Sequence, residues 1–97
     1  MSFVQIIDFH TSHEDELRAL DSEWEAATEG KRTVRRSLFT RDRNDPTHFQ
    51  LIVFFDSYES AMENSAMPET AALAEKMGKL VDGAPTFFDL DVIEDRS

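Results

Sequence analysis

The sequence contains no cysteine, only three glycines, and half as many basic residues as acidic ones. The absence of cysteine excludes disulfide frameworks, thiol catalysis and cysteine-ligated zinc or iron–sulfur sites. No glycine-rich phosphate-binding loop is present, nor any serine-nucleophile or zinc-hydrolase motif. The net charge of −10 argues against DNA, RNA or an anionic membrane as the main partner, because binding to these needs an excess of Lys and Arg.

Long apolar runs are also missing. No stretch approaches the ~20 apolar residues that cross a bilayer, and the apolar segment Met1–Asp8 lacks the basic start of a signal peptide. We therefore expect a soluble, cytoplasmic protein. Its 97 residues, with 40% hydrophobic and 31% charged, fit a single globular domain over residues 1–97.

The apolar periodicity predicts four strands and three helical pieces. The strands are Phe3–Phe9, Thr33–Arg41, His48–Phe55 and Thr86–Ile93, and the helices follow Thr11–Asp15 up to Gly30 and cover 57–66 and 68–81. Pro68 is expected in the first turn of the last helix. This order predicts an α+β fold, a ferredoxin-like plait (βαββαβ) whose four-stranded antiparallel sheet has the order 4-1-3-2 and carries its helices on one face.

Both faces of the predicted sheet are apolar, although one face of an antiparallel sheet is usually polar. In the third strand, the residues that point to one face are all apolar: Phe49, Leu51, Val53 and Phe55. Of those that point to the other face, half are apolar: His48, Gln50, Ile52 and Phe54. Helices can cover only one face. A second copy of the sheet is the simplest cover for the other face, so we predict an isologous homodimer. The alternative is that some of these phenylalanines are exposed.

The two predicted edge strands differ in charge. Lys31–Arg43 contains six basic residues and one acidic residue, whereas the last strand and its end carry Asp89, Asp91, Glu94 and Asp95. Opposite charges on two subunits would favour self-association and set its register. The charges could instead block unwanted strand pairing, or the arginines could bind an anion.

Several segments together resemble a known family. They are FVQIIDF (Phe3–Phe9), EWEAAT (Glu23–Thr28), FDSYESAM (Phe55–Met62), NSAMPET (Asn64–Thr70) and PTFFDLDV (Pro85–Val92). With these segments, nearly the whole chain resembles the antibiotic biosynthesis monooxygenase-like family of the dimeric α+β barrel superfamily. The resemblance implies a dimeric α+β barrel.

Members of this family include cofactor-independent oxygenases of aromatic polyketides and haem-degrading enzymes. The haem-degrading members use an Asn on the first strand, with a Trp and a His near the second helical region. This chain has Gln5 and Asp8 on its first strand, and residues 57–81 contain neither Trp nor His. The comparison therefore argues against haem degradation.

The resemblance implies a cofactor-independent monooxygenase that acts on an aromatic or polyketide-like substrate and needs no cofactor. The first alternative is a non-catalytic homodimer that binds a small ligand or only assembles. The second is a cyclase or isomerase on the same scaffold. Fold-level analogy alone does not choose among them.

His48 and Gln50 are the catalytic candidates, since a histidine can act as a general base near neutral pH. In a cofactor-free oxygenation such a base would deprotonate a phenolic substrate, and the electron-rich anion would reduce oxygen. A solvated His beside a turn is the structural alternative for His48. Gln50, on the same face, would orient the substrate.

Trp24 on the first helix is a candidate to stack on an aromatic ligand, with its N–H as a donor. Four further residues surround the break before Pro68, a plausible pocket mouth; they are Tyr58, Met62, Asn64 and Met67. The alternative places Trp24, Tyr58 and Met62 in the core and Asn64 at a helix end.

Two clusters of ionisable residues are weaker candidates for a functional site. His10 and His13 with Asp8 and Glu14 suggest a metal site, but the strand-to-helix junction leaves its geometry undefined, and we expect no metal. Asp89 and Asp91 point to one side of the last strand, where neighbouring carboxylates can divide acid and base roles. Pairing with the basic strand, or simple exposure, is the alternative.

Overall fold

The computed structural model describes residues 2–96. Its elements follow the order β1 (Phe3–His10), α1 (Glu14–Ala27), β2 (Val34–Asp42), β3 (Asp45–Phe55), α2 (Tyr58–Ala66), α3 (Pro68–Gly78) and β4 (Asp82–Asp91). The four strands form one antiparallel sheet in the order β2-β3-β1-β4. The predicted α+β ferredoxin-like fold and its strand order are confirmed. No helix within residues 2–96 is long and apolar enough to cross a membrane.

Two strands begin earlier than predicted. β3 starts at Asp45 instead of His48, because the turn is shortened to two residues and Asp42 pairs with Asp45. β4 starts at Asp82 instead of Thr86 and ends at Asp91 instead of Ile93. Pro85 fits within β4 because β4 is an edge strand, where a missing N–H leaves no ladder partner unpaired.

The start of α1 is held by a buried threonine and not by a side-chain cap. His13 occupies the N-cap position, but its side chain does not cap a backbone N–H of the helix. The Thr11 hydroxyl accepts a hydrogen bond from the His13 N–H and donates to the carbonyl of Leu80 after α3, at 2.6 Å. Thr11 is fully buried, so it ties the start of α1 to the end of α3.

The other two helices begin as predicted. The Ser57 side chain caps α2 by accepting from the Ser60 N–H at 3.0 Å. Pro68 lies in the first turn of α3, where its missing N–H costs no helical hydrogen bond. Met67 separates the two helices in an extended conformation.

The core lies between the helices and one face of the sheet. β1 and β3 pair so that Phe3 lies opposite Phe55 and Phe9 opposite Phe49. The buried apolar residues are Phe3, Phe9, Leu17, Phe49, Leu51, Val53, Phe55 and Ala61, and α3 adds Met77 beside them. Burying each large apolar side chain contributes about 1.5–3 kcal/mol relative to exposure.

The opposite face of the sheet, called here the open face, carries the other phase of each strand. Its apolar residues are Val4, Ile6, Leu38, Ile52, Phe54, Phe88 and Leu90. All three helices contribute to the core on the other side. Phe88 and Leu90 are each 44% exposed. The expectation that both faces are apolar is therefore met by the residues that the structure describes.

Candidate functional site

A cavity of about 100 Å³ lies between α1, the sheet and the start of α3. Its floor is the apolar face of the central strands, and its roof is α1. The lining residues are Gln5, Ile7, Asp21, Trp24, Val34, Ser37, Leu51, Val53, Phe55, Asn64, Ser65, Thr70 and Leu73. An apolar cavity with a few convergent polar groups is the usual form of a small-molecule site.

One stripe of α1 forms the roof. Leu17, Asp21, Trp24 and Thr28 follow at spacings of four, three and four, which places them on one helical face. Leu17 and Thr28 at the two ends are completely buried. Asp21 and Trp24 between them are only partly buried and line the cavity. The spacing of Leu17, Leu20, Trp24 and Ala27 also predicts one apolar helical face. Ala27 is exposed, however, so the buried face of α1 is rotated from that prediction.

Trp24 is held by a hydrogen bond across the helix pair. Its indole Nε1–H donates to the hydroxyl of Thr70 on α3 at 3.0 Å. Behind it, the Thr28 hydroxyl donates to the Trp24 carbonyl at 2.7 Å. The Thr70 bond holds the indole edge, the Thr28 bond holds the backbone of Trp24, and Trp24 is part of the cavity wall. Trp24 is therefore a fixed aromatic residue of the cavity wall.

Asn64 on α2 is buried and also lines the cavity. Its side-chain oxygen accepts a hydrogen bond from the Thr33 N–H at 3.4 Å. The neighbouring Thr33 hydroxyl donates to the Ser60 carbonyl at 2.6 Å, which fastens the loop before β2 onto α2. With its oxygen engaged, the Asn64 amide nitrogen is the group that remains to donate to a ligand.

Asp21 is an acidic residue of the cavity that sequence reasoning missed. Burial raises the pKa of its carboxyl, and the nearby Glu25 carboxylate raises it further. The available signal was its position between Leu17 and Trp24 on one face of α1. That signal becomes informative only once the rotation of α1 against the sheet is known.

The cavity opens between α1 and β2. A surface cleft of about 140 Å³ at this mouth shares Asp21, Trp24, Val34 and Ser37 with it. The cleft is also lined by Glu25, Arg32, Arg35 and Arg36. A ligand in the cavity would therefore reach solvent past a charged rim.

His48 and Gln50 lie on the open face, on the other side of the sheet from Trp24 and Asn64, because they alternate with the core residues Phe49 and Leu51. The expected single site is therefore split in two by the sheet. Neither His48 nor Gln50 lines the helix-side cavity.

On the open face, His48 belongs to a polar cluster with Asp8, Asp42 and Gln50. Its Nε2 lies 2.8 Å from Oδ2 of Asp8 and its Nδ1 lies 3.0 Å from Oδ2 of Asp42. Gln50 donates to the same Asp8 oxygen at 2.8 Å. Since ionised carboxylates only accept, both contacts suit the doubly protonated imidazolium.

The charges of this cluster follow from its contacts. Hydrogen bonds to Asp8 and Asp42 raise the pKa of His48. Those from Gln50 and His48 lower the pKa of Asp8. The Asn44 N–H and His48 lower the pKa of Asp42. The raised pKa favours the protonated form of His48, and that form has no free ring nitrogen to accept a proton.

Two histidines that were considered for a metal site lie apart from each other. His10 stacks on His48 with ring centroids 4.7 Å apart and reaches Asp45 at 3.6 Å. His13 instead contacts Glu16 on α1 at 3.2 Å. Among residues 2–96, no group of three or more His, Asp or Glu is arranged to hold a metal ion.

The remaining binding candidates do not line the cavity. Tyr58 is 51% exposed and packs edge-on against Phe3, with centroids 5.5 Å apart. Met62 packs against the core, and Met67 lies at the α2–α3 junction. Of the substrate-binding set, the structure thus brings Trp24 and Asn64 together.

The charged edges are mostly paired within the chain. Arg35 donates to Asp56, Arg41 to Glu14, and Lys31 to Glu69. Asp89, which lies beside Asp91 on the same side of β4, accepts from Gln5 at 3.0 Å. These contacts leave fewer free cations for an anion site than the sequence suggests.

No protein-family model matches the chain, and a search of curated proteins finds no match. Solved structures do match it over nearly their full length. They include Rv0793 from Mycobacterium tuberculosis, with a TM-score of 0.81 and 16% identity, covering 100% of both chains.

Another is SnoaB, a cofactor-independent oxygenase from Streptomyces nogalater, with a TM-score of 0.82 and 12% identity, covering 97% of this chain and 95% of that one. A third is an antibiotic biosynthesis monooxygenase with a TM-score of 0.75 and 19% identity, covering 97% of this chain and 100% of that one. At such identities the likeness concerns the fold. The chain therefore has the α+β ferredoxin-like fold of antibiotic biosynthesis monooxygenase-like proteins.

Proposed function

We propose that the protein is a homodimer that binds a small aromatic compound in the helix-side cavity and oxidises it as a cofactor-independent monooxygenase. The observation that carries the proposal is the apolar cavity under the anchored Trp24 ring. The fold shared with SnoaB, which is named a cofactor-independent oxygenase, supports the reaction type.

The size of the cavity limits the substrate. An apolar protein cavity of roughly 150 Å³ is known to hold one benzene molecule. At about 100 Å³ this cavity is smaller, so a single ring is the upper limit, and it would extend into the adjoining cleft of about 140 Å³. A polycyclic, polyketide-like compound would need α1 to move away from β2 at the mouth. We therefore propose a one-ring aromatic substrate.

The chemistry follows from the surroundings of the ring. Loss of a proton from a phenolic substrate leaves an electron-rich anion, which passes electrons to molecular oxygen without a bound cofactor. One oxygen atom enters the ring as a carbonyl, and the other leaves as water with two hydrogens that the phenol loses. The substrate itself therefore supplies all four electrons and becomes a quinone. In this proposal the protein supplies the proton acceptor, the stacking surface of Trp24 and a donor on Asn64.

His48 and Gln50 have a different role in this proposal. Because they lie across the sheet from the cavity, they do not touch a substrate bound there in the same subunit. We propose that they order the polar end of the open face, where Asp8 and Asp42 compensate the charge of His48.

The homodimer is proposed to form through the open face. Phe88 and Leu90 are large apolar residues that remain 44% exposed, and burying such a patch drives association. A stable interface buries about 1,200–2,000 Å² in total. The β2 edge of one subunit would meet the β4 edge of the other. Because Arg35 and Arg41 are already paired within the chain, the apolar open face is the main support for this arrangement.

Ligand-dependent stability and oxygen uptake test the function. A panel of one-ring phenols is screened by thermal unfolding in air, and hits are assayed for oxygen consumption with the wild type and Trp24→Ala. Tyr58→Phe, outside the cavity, is the matched control. We expect stabilisation and oxygen uptake in the wild type and control, and loss of both in Trp24→Ala. Turnover that persists without oxygen would instead indicate a cyclase or isomerase.

A non-catalytic binding protein is the second candidate. It is favoured by the position of His48, since the expected base lies outside the cavity and is held between two carboxylates. For that function, ligands would stabilise the wild type, and no oxygen would be consumed with any of them.

A further inference from the structure

Among the residues that line the helix-side cavity, Asp21 is the one with an ionisable side chain. The others are apolar or carry neutral amide, hydroxyl or indole groups. In residues 2–96, Asp21 makes no side-chain hydrogen bond and no ion pair within 4.0 Å. A partly buried carboxyl without a protein partner is therefore available to a bound ligand.

The charged groups around Asp21 come from α1, from Arg32 before β2 and from β2 itself. They are Asp15, Arg18 and Glu25 on α1, and Arg32, Arg35 and Arg36. Most of these are engaged elsewhere: Arg18 approaches Glu14, Arg32 approaches Glu25, and Arg35 donates to Asp56. Arg36 lies over the Phe54 ring on the open face. The helices α2 and α3 add only Asn64, Ser65, Thr70 and Leu73 to the cavity wall.

We propose that Asp21 determines the ligand class of the cavity: it accepts a proton or hydrogen bond from a ring hydroxyl and excludes rings that carry an anionic group. This inference rests on the proposed function, because it assumes that the cavity is the ligand site. It extends that function by assigning the proton acceptor and naming the substrate as a hydroxylated single ring.

The proton step balances with the groups present. The O–H bond of the ring hydroxyl breaks, a new O–H bond forms on Asp21, and a phenolate lies beside a neutral carboxylic acid. Burial raises the pKa of Asp21, which makes it a stronger base than an exposed aspartate. The same burial strengthens repulsion between its carboxylate and an anionic ligand.

Three rings of similar size test the inference in the full-length protein. Phenol offers a hydroxyl donor, anisole has the same oxygen capped by a methyl group, and benzoate carries a negative charge. Their dissociation constants are measured by titration calorimetry at pH 7 for the wild type, Asp21→Asn and Asp21→Leu. Asp15→Asn, an exposed acid on the same helix, is the matched control.

In the wild type and Asp15→Asn we expect phenol to bind at least tenfold more tightly than benzoate, and more tightly than anisole. Asp21→Asn, whose amide can donate to benzoate, should lose most of the preference for phenol over benzoate. Asp21→Leu should lose the preference for phenol over anisole. Circular dichroism establishes that each variant is folded.

The outcomes separate the two proposals. Rings that bind all variants with unchanged preferences overturn the role of Asp21 and leave the cavity as the ligand site. If none of the three rings binds the folded wild type or the folded variants, the cavity is not a ligand site. That result also overturns the inference about Asp21.

Discussion

Replacing Thr70 by valine isolates the hydrogen bond that orients Trp24. Valine keeps the shape of threonine but removes the hydroxyl that accepts from the indole Nε1–H at 3.0 Å. A buried donor left without a partner costs about 1–3 kcal/mol. Because Trp24 is only partly buried, water can reach part of this region, and we expect the lower end, about 1 kcal/mol.

Equilibrium unfolding at fixed protein concentration measures this change. For a domain below 100 residues, 1 kcal/mol corresponds to a fall in the melting temperature of about 4–8 °C. In urea, with a slope of about 1 kcal/mol/M, the midpoint should fall by about 1 M. Thr70→Ser is the matched control, since it keeps the hydroxyl and should retain most of the stability.

Ligand affinity supplies the second part of this test. If the bond holds Trp24 against the cavity, a one-ring ligand should bind Thr70→Val several-fold more weakly and Thr70→Ser almost normally. Equal stability and equal affinity in the two variants would refute the argument that this bond orients the indole ring.

Three further predictions concern charge and assembly. His48 has a raised pKa in the folded state, so its stabilising effect is complete below the usual value of about 6.5 and is lost as pH rises through its raised pKa. The difference in melting temperature between the wild type and His48→Gln should therefore shrink with rising pH. A difference that does not change with pH would contradict this prediction. The raised pKa of Asp21 likewise lowers the stability of the folded state as pH rises, because its ionised carboxylate is destabilising at neutral pH. Asp21→Asn should therefore melt at or above the wild-type temperature at pH 7 and lose that advantage in acid. A lower melting temperature of this variant at pH 7 would show that the carboxylate is stabilising. Phe88→Asp on the open face should give a monomer in sedimentation velocity. The control variant Ile93→Asp should remain a dimer, because Ile93 is 90% exposed and lies outside β4. A wild-type protein that sediments as a monomer would contradict the proposed interface.

The fold could be predicted from local signals. Alternating apolar residues mark the strands, Ser57 and Pro68 mark helix starts, and short connections restrict the topology. The first residues of β3 and β4, Asp45 and Asp82, could not be predicted from the sequence. Pairing across the hairpin and along the sheet edge extends these strands into segments rich in Asp, Gly and Pro.

The candidate site was harder to predict for a specific physical reason. Both phases of β3 are largely apolar, so alternation alone did not indicate which phase faces the helices. His48 and Trp24 were therefore assigned to one site, although the sheet separates them. Asp21 was not predicted as a site residue because its surroundings depend on how α1 is rotated against the sheet.

The central claim, that the helix-side cavity binds an aromatic ring, is tested most directly by nuclear magnetic resonance. Trp24 is the only tryptophan of the chain, so its indole Nε1–H gives one signal at the cavity wall. Trp24 also borders a groove with Ala72 and Lys76 between α1 and α3, so contacts to Leu51 and Val53 are needed to place a ligand inside. In a titration with phenol, we expect a saturable shift of the indole signal and nuclear Overhauser effects from the phenol ring to the methyl groups of Leu51 and Val53. An unchanged indole signal, or contacts to Ala72 and Lys76 alone, would contradict the account.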